Sequence, residues 1–532
     1  MVLKNYKKLD ENLRIIVKSS VIVFFGLIIS KVLSYAYRII IARSFGPEEY
    51  GLFSLSLAIV GFFIAVFGFG LNEGLLRFIS LFRGKKETQK MRYLFRFSLL
   101  ISLISGVVAA IILFSFSNVI SINIFHNPGL EVYLKIFSLL IPISLVWGIY
   151  IAVIRAFELI TMYSFINNIL QNVLKIITFL IFIFFGFSTY KVISFSYILA
   201  FAFILIISYY VCKYKIGEIF GKYFINKKNR DDLKRKFLTY SLPLSFAGFV
   251  SIILYWTDSL FLGYFKSAFE IGLYNAVIPI AMLLAIAPEL FIQLFLPLIT
   301  RYYSQKKNKL IKEISKQVGK WIFIINLAVF GLGFIFPGAF INILFGKEYL
   351  VAENALRILL VGSFMSSISY VSSNLIRTIG KSNLILADIT IASILNAILN
   401  YILIPMKKIG FIENSLGLNG AALATAISAI VLSILFIFQT KYYLKFFPFR
   451  RKMIGILFIF IIPAAVMLYI RTFINVSGIL KATILSLIFI ILYLILIFIT
   501  KSLDKNDLLI LKAMKDKVLG KLIVRSNVNY NK

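Results

Sequence analysis

Two lysines sit where a lysine is hard to accommodate. Lys31 lies midway along an apolar stretch, in IleIleSerLysValLeuSer (28–34), and Lys175 is similarly central in another. An ammonium at such depth costs several kcal/mol against lipid, so each must face protein or a hydrated cavity. A compact, mobile positive charge suits a phosphate. For Lys175, an ion pair with an acid on another helix is an equal explanation. Acids occur at Glu73, Glu158, Asp258, Glu289 and Asp388. Asp258, in TyrTrpThrAspSerLeuPhe (255–261), fits three roles: a lysine partner or gate, a ligand for a coupling cation, or a cap that steadies the bundle. Glu289 and Asp388 are further candidates for ion coupling. Glu73 and Arg77 stand one helical turn apart and read as a gate contact or a local ion pair. Arg155 and Arg377, each at the inner end of its segment, join this gating group.

Other chemistries find no residues. A single His (His126) and a single Cys (Cys212) supply neither a His/Cys metal site nor a disulfide. No Ser/His/Asp grouping or paired catalytic carboxylates assemble, and His126 stands alone beside AsnPro. The expectation is a protein without catalytic residues, metal or cofactor.

The elements that must position these charges follow from composition. Of 532 residues, 60% are hydrophobic and 15% charged, with mean hydropathy +0.94. Fourteen apolar segments stand out: about 19–41, 51–72, 94–115, 132–154, 163–186, 192–212, 238–262, 273–297, 320–341, 354–376, 383–404, 419–439, 453–470 and 479–500. Runs of about 20 residues cross roughly 30 Å of hydrocarbon as helices, and they lack the alternation of membrane strands. The predicted fold is an all-α polytopic membrane protein. An even number of crossings puts both termini on one side. Of 57 Lys and Arg, 43 fall on the termini and loops of that side, and 11, Arg38 and Arg43 among them, on the other. This bias places both termini in the cytoplasm. It also accounts for the net charge of +35 without nucleic acid, through cytoplasmic loops facing anionic lipid. The first apolar stretch has no small-residue cleavage site and is expected to be retained.

An internal repeat appears at an offset of 221–222 residues. ArgSerPheGlyProGluGluTyrGlyLeuPheSer (43–54) aligns with TyrPheLysSerAlaPheGluIleGlyLeuTyrAsn (264–275), setting Gly51 opposite Gly272, and Arg155 falls opposite Arg377. Each unit holds six segments, so the units are parallel repeats with a cleft between them. The predicted organisation is a cytoplasmic N-terminal segment (1–18), a six-helix lobe (19–212), a linker (213–237), a second six-helix lobe (238–439), two additional helices (453–500) and a cytoplasmic tail (501–532). Within the tail, 508–519 reads equally as a surface amphipathic helix or a plain charged segment. Pro142, Pro243, Pro279, Pro288 and Pro463 lie in or beside the segments, where prolines bend helices.

AlaArgSerPheGlyProGluGluTyrGlyLeuPheSerLeuSerLeuAlaIle (42–59) and GlyPheGlyLeuAsnGluGlyLeuLeuArgPheIle (68–79) resemble the N-terminal signature of polysaccharide-export flippases. These are O-antigen-type members of the multidrug/oligosaccharidyl-lipid/polysaccharide exporter superfamily. The stretches 256–277 and AsnIleLeuPheGlyLysGluTyr (342–349) are similar to that family too. The resemblance implies two lobes around a central cavity, with Lys31 matching a cationic position that accommodates an anionic headgroup. It further implies passage of a polyprenyl-(pyro)phosphate-linked oligosaccharide from the inner to the outer leaflet for envelope polysaccharide or glycan assembly. The partners implied are that lipid-linked glycan, membrane lipids, glycan-assembly enzymes and Na+ or H+ as a coupling ion, with the chain acting as a monomer. Asp258, Glu289 and Asp388 keep open a second reading, a cation-coupled multidrug or metabolite antiporter.

Overall fold

The computed structural model describes residues 2–406, 416–473, 478–500 and 502. The tail beyond Ser502, with its 508–519 stretch, lies outside the described residues. Within them all regular structure is helical, and thirteen stretches are long and apolar enough to cross a membrane. The chain is a multi-pass membrane protein.

The first of these, Ile28–Phe67, has 40 residues. Straight, it would reach about 60 Å, twice the hydrocarbon thickness. It does not run straight. Gly46 adopts φ 79°, a conformation that favours glycine, and Pro47 follows it. The rings of Tyr37 and Phe53 consequently lie 6.3 Å apart, where a straight helix would separate them by about 24 Å. The stretch is a hairpin of two arms, α1 (2–45) and α2 (47–67), and the described residues hold fourteen legs. The others are α3 Thr88–Val119, α4 Gly129–Ala156, α5 Ile160–Phe184, α6 Thr189–Lys215, α7 Lys227–Phe265, α8 (268–304), α9 Asn308–Ile335, α10 Glu353–Thr378, α11 Ser382–Leu403, α12 Gly417–Leu444, α13 Lys452–Phe473 and α14 Ile479–Ile499.

The second leg ends earlier than the apolar run suggests. Phe69 and Gly70 turn the backbone at φ 49° and 63°, and a separate amphipathic helix, Leu71–Gly84, follows with Leu71, Leu75, Ile79 and Phe82 buried. Glu73 and Arg77 therefore sit on that helix and not at the end of α2. Two legs are locally remodelled: α5 widens to a π turn over Phe165–Leu170, and α8 tightens to a 3-10 turn over Met282–Ala285. The additional legs α13 and α14 pack together and against α9.

The largest apolar core lies towards the Gly46 end, where Tyr37, Tyr50, Phe53, Tyr133, Tyr274 and Tyr349 meet. Within it α2 and α8 cross at backbone contact. A Cβ on Gly51 would stand 1.8 Å from the Ala268 carbonyl oxygen, and one on Gly272 1.8 Å from the Pro47 oxygen. The two contacts are reciprocal, and each residue of one is displaced by 221 from its counterpart in the other. A local twofold relation between α2 and α8 produces this pattern, and only glycine fits at the crossing. We therefore expect Gly51→Ala and Gly272→Ala each to destabilise the fold by about 1–3 kcal/mol, the usual scale for overpacking. Gly455→Ala, with nothing within 4 Å of its added methyl, should leave the unfolding temperature in detergent unchanged.

Candidate substrate and ion sites

Residues 31, 35 and 38 share one face of α1 through i, i+4 and i+7 spacing. Lys31 Nζ lies 2.8 Å from Glu289 Oε2 of α8, with both side chains only partly exposed (26% and 33%). Tyr35 lies within electrostatic reach of Arg38, Tyr255 and Glu289, and Arg38 within reach of Tyr50, Tyr197 and Tyr255. From α10, Tyr370 lies within electrostatic reach of Glu289 and Arg377. Chain-distant legs thus bring two cations, one carboxylate and several phenols together. Arg38 had read as a loop-flanking charge, although its place seven residues after Lys31, with Tyr35 between, marks it as part of the same face.

Lys175 is buried elsewhere. Its ammonium lies 4.7 Å from the centre of the Tyr197 ring and 5.1 Å from that of Phe201, so ring faces take the place of a counter-ion. Among the described residues no carboxylate pairs with it. Arg38 is its nearest electrostatic link to the Lys31 cluster.

Asp258 is buried at 6% exposure and faces neither lysine. Its carboxylate accepts hydrogen bonds from Tyr274 Oη at 2.5 Å, Asn400 Nδ2 at 2.7 Å, Asn396 Nδ2 at 3.2 Å and the Thr425 hydroxyl. Four legs (α7, α8, α11 and α12) build this cage. Asn396 Oδ1 and Asn400 Oδ1 are buried beside it without hydrogen-bond partners. Asp388, also buried, accepts from Gln439 Nε2 at 2.8 Å.

The gating candidates separate. Glu73 turns from Arg77 to Arg155, at 3.4 Å, while the Arg77 guanidinium lies 4.0 Å from the centre of the Tyr240 ring. Arg377 ends α10 exposed, and Glu158 is 3.8 Å from Arg83. A cavity of about 320 Å³ between α2, α4 and α7 is lined by Asn72, Glu73, Ser102, Ser144 and Ser245 among others. At the Gly46 end, Arg43 donates to the carbonyls of Asn342, Ile343 and Leu344, and Tyr349 donates to that of Ala42. These bonds and the glycine crossing hold the legs together at that end. Among the described residues no group of three or more His, Cys, Asp or Glu converges.

Residues 16–303, more than half of the chain, match the family described as polysaccharide biosynthesis protein. The chain belongs to this family. Residues 243–402 also match the MatE family. A putative O-antigen transporter of Shigella flexneri is 24% identical over 78% of this chain and 95% of its own length. A probable low-salt glycan biosynthesis flippase of Haloferax volcanii is 25% identical over 37% of this chain and 39% of its own. Among solved structures, a lipid II flippase in an inward closed conformation superposes with TM-score 0.68 at 18% identity, covering 91% of this chain and 98% of that one. An inward-facing multidrug resistance MATE family transporter gives 0.67 at 16%, covering 80% and 98%. The chain is a membrane transporter of the superfamily these proteins share, and not an enzyme.

The Asp258 cage yields a stability prediction. Asn400→Ala removes a donor from a buried carboxylate and should cost about 1–3 kcal/mol. Combining it with Asp258→Asn should cost less than the sum of the single changes, measured by thermal unfolding in detergent.

Proposed function

We propose that the protein is a flippase that moves a polyprenyl-(pyro)phosphate-linked oligosaccharide from the cytoplasmic to the outer leaflet, for envelope polysaccharide or glycan assembly. The observation that carries this reading is the α1 face of Lys31, Tyr35 and Arg38, turned inward towards α8 and α10. A headgroup phosphate brought into hydrocarbon needs charge compensation, and this face supplies it, with Lys175 as a deeper reserve. The family membership and the names of the two relatives support the same substrate class.

In this reading the chain comprises a cytoplasmic segment (1–18), a lobe (19–212), a linker (213–237), a second lobe (238–439), two further helices (453–500) and a cytoplasmic tail (501–532). The reciprocal Gly51–Gly272 contact supports two parallel lobes related by an axis along the membrane normal. The excess of Lys and Arg supports cytoplasmic termini, which makes the Gly46 end the outer one. The headgroup enters between the lobes from the cytoplasm while the polyprenyl chain stays in lipid. It competes with Glu289 for Lys31, and losing that pair frees α8 to move relative to α1 at its 3-10 turn. Opening then requires the Arg43 carbonyl contacts to part. Glu73–Arg155, Arg77 and Arg377 lie towards the cytoplasmic end as gate contacts. The protein works as a monomer alongside glycan-assembly enzymes.

The Asp258 cage favours a coupled process: a buried carboxylate with two free amide oxygens beside it suits Na+ or a proton. The same feature, with the MatE match, supports the second reading of a cation-coupled multidrug or metabolite antiporter.

Reconstitution with a fluorescent polyprenyl-pyrophosphoryl oligosaccharide separates the two. The flippase reading expects protein-dependent transfer between leaflets that falls by about tenfold or more in Lys31→Ala, the scale of one lost charge-assisted contact. Gradient-driven drug movement without lipid transfer would replace it with the antiporter reading.

A further inference from the structure

On the termini side of the bundle, helix ends from α8 to α12 surround a cavity of about 490 Å³. Its rim is formed by Tyr303 near the end of α8, Asn308 at the start of α9, Lys381 just before α11, and Tyr443 and Lys445 where α12 ends. All its lining residues fall between 303 and 446. The cavity is therefore separate from the cleft in which Lys31 meets Glu289.

The turns beside it carry lysine where glycine is usual. Lys445 closes α12 at φ 60°, and Lys306, between α8 and α9, takes φ 56°. Helix ends of this kind favour glycine, which adopts left-handed backbone without steric cost. At 445 that cost is accepted and an ammonium is placed on the rim, 5.1 Å from the centre of the Tyr442 ring. Lys381 Nζ stands 5.6 Å from the centre of the Tyr443 ring. Ring faces orient the two ammoniums and leave them charged. Among the described residues no Asp or Glu lines the cavity, and neither lysine has a carboxylate partner.

The lining specifies an occupant that is both anionic and amphiphilic. Two ammoniums, two phenols and the Asn308 amide can all donate, and phosphate oxygens accept. Beneath them lies an apolar floor that includes Ile311 and Phe446, both buried. A free inorganic anion would leave that floor without a partner. Just outside, Tyr442 is 68% exposed and Phe447 41%. Exposed rings among lysines mark the headgroup level of a bilayer.

We propose that this cavity binds the phosphate headgroup of an anionic phospholipid from the leaflet on the termini side. Lys381 and Lys445 hold the phosphate, and the glycerol end lies over Ile311 and Phe446. The bound lipid bridges the ends of α8, α9, α11 and α12. The site goes beyond the transport reading and holds whether the cargo is a lipid-linked glycan or a drug, because it stands apart from the Lys31 cleft.

The test follows thermal unfolding of the full chain in detergent with added dioctanoyl phosphatidylglycerol, dioctanoyl phosphatidylcholine or glycerol 3-phosphate. Each shift is converted to an apparent Kd. Phosphatidylglycerol should raise the unfolding temperature of wild type, and the other two at equal concentration should not. Lys381→Ala combined with Lys445→Gly should weaken phosphatidylglycerol binding by about tenfold or more, the scale of two lysines at a charged surface. Lys227→Ala combined with Lys228→Ala removes the same charge from the exposed start of α7. That pair should change the Kd by less than about twofold, since exposed charges far from the site are screened. Lys445→Gly alone separates binding from folding. Without lipid it should unfold at or above the wild-type temperature, because its backbone favours glycine, while its affinity for phosphatidylglycerol falls. Equal losses in the two double variants would mean diffuse attraction by net charge and overturn the site. An equal shift with glycerol 3-phosphate would overturn the lipid as occupant, and an equal shift with phosphatidylcholine would overturn the anionic headgroup.

Discussion

Charge inside hydrocarbon must be answered locally, and the whole arrangement can be read as the means of answering it. Lys31 and Glu289 are contributed by legs far apart in sequence, yet they meet at 2.8 Å while remaining partly exposed. Removing either partner leaves the other as an uncompensated charge at depth, which is strongly unfavourable. Partial exposure is what the proposed role requires: a fully enclosed pair would hold its partners permanently, whereas this one leaves room for a competing anion. Lys175 and Asp258 show two other answers to the same constraint, ring faces for the cation and a cage of neutral donors for the anion.

The surroundings divide into parts that hold and parts that give. At the Gly46 end α2 and α8 touch backbone to backbone, and Arg43 spans to three carbonyls. Such contacts tolerate no added atom. Farther along α8 the helix changes to a 3-10 turn four residues before Glu289, with Pro288 immediately before the carboxylate. The ion pair therefore sits just beyond the place where α8 is least regular, and a change at the pair is transmitted to a segment already able to bend.

Much of the fold was legible because run length alone determines a membrane helix, and the break between the segments 19–41 and 51–72 separates the two arms that fold back at Gly46. The end of the second leg was not legible: the apolar pattern continues past Gly70, and only the left-handed backbone at Phe69 and Gly70 separates the two helices. Among site residues, the depth of Lys31 was readable from its neighbours, but its partner was not, because no local spacing connects residues 31 and 289. Arg38 was obscured by charge counting, which treats every cation near a segment end alike and ignores helical phase. The Glu73–Arg77 spacing suggested a local pair, whereas tertiary packing supplied Arg155 and Tyr240 in its place. The repeat aligned Gly51 with Gly272, and an alignment carries no information that the two residues also touch.

The central claim is that an anionic headgroup and the Glu289 carboxylate compete for Lys31. It is tested most directly by the equilibrium binding of a polyprenyl-pyrophosphoryl oligosaccharide to detergent-solubilised wild type and Glu289→Gln. Removing the competitor should tighten binding by about tenfold, equivalent to about 1.4 kcal/mol. Unchanged or weaker binding by the folded variant would contradict the account.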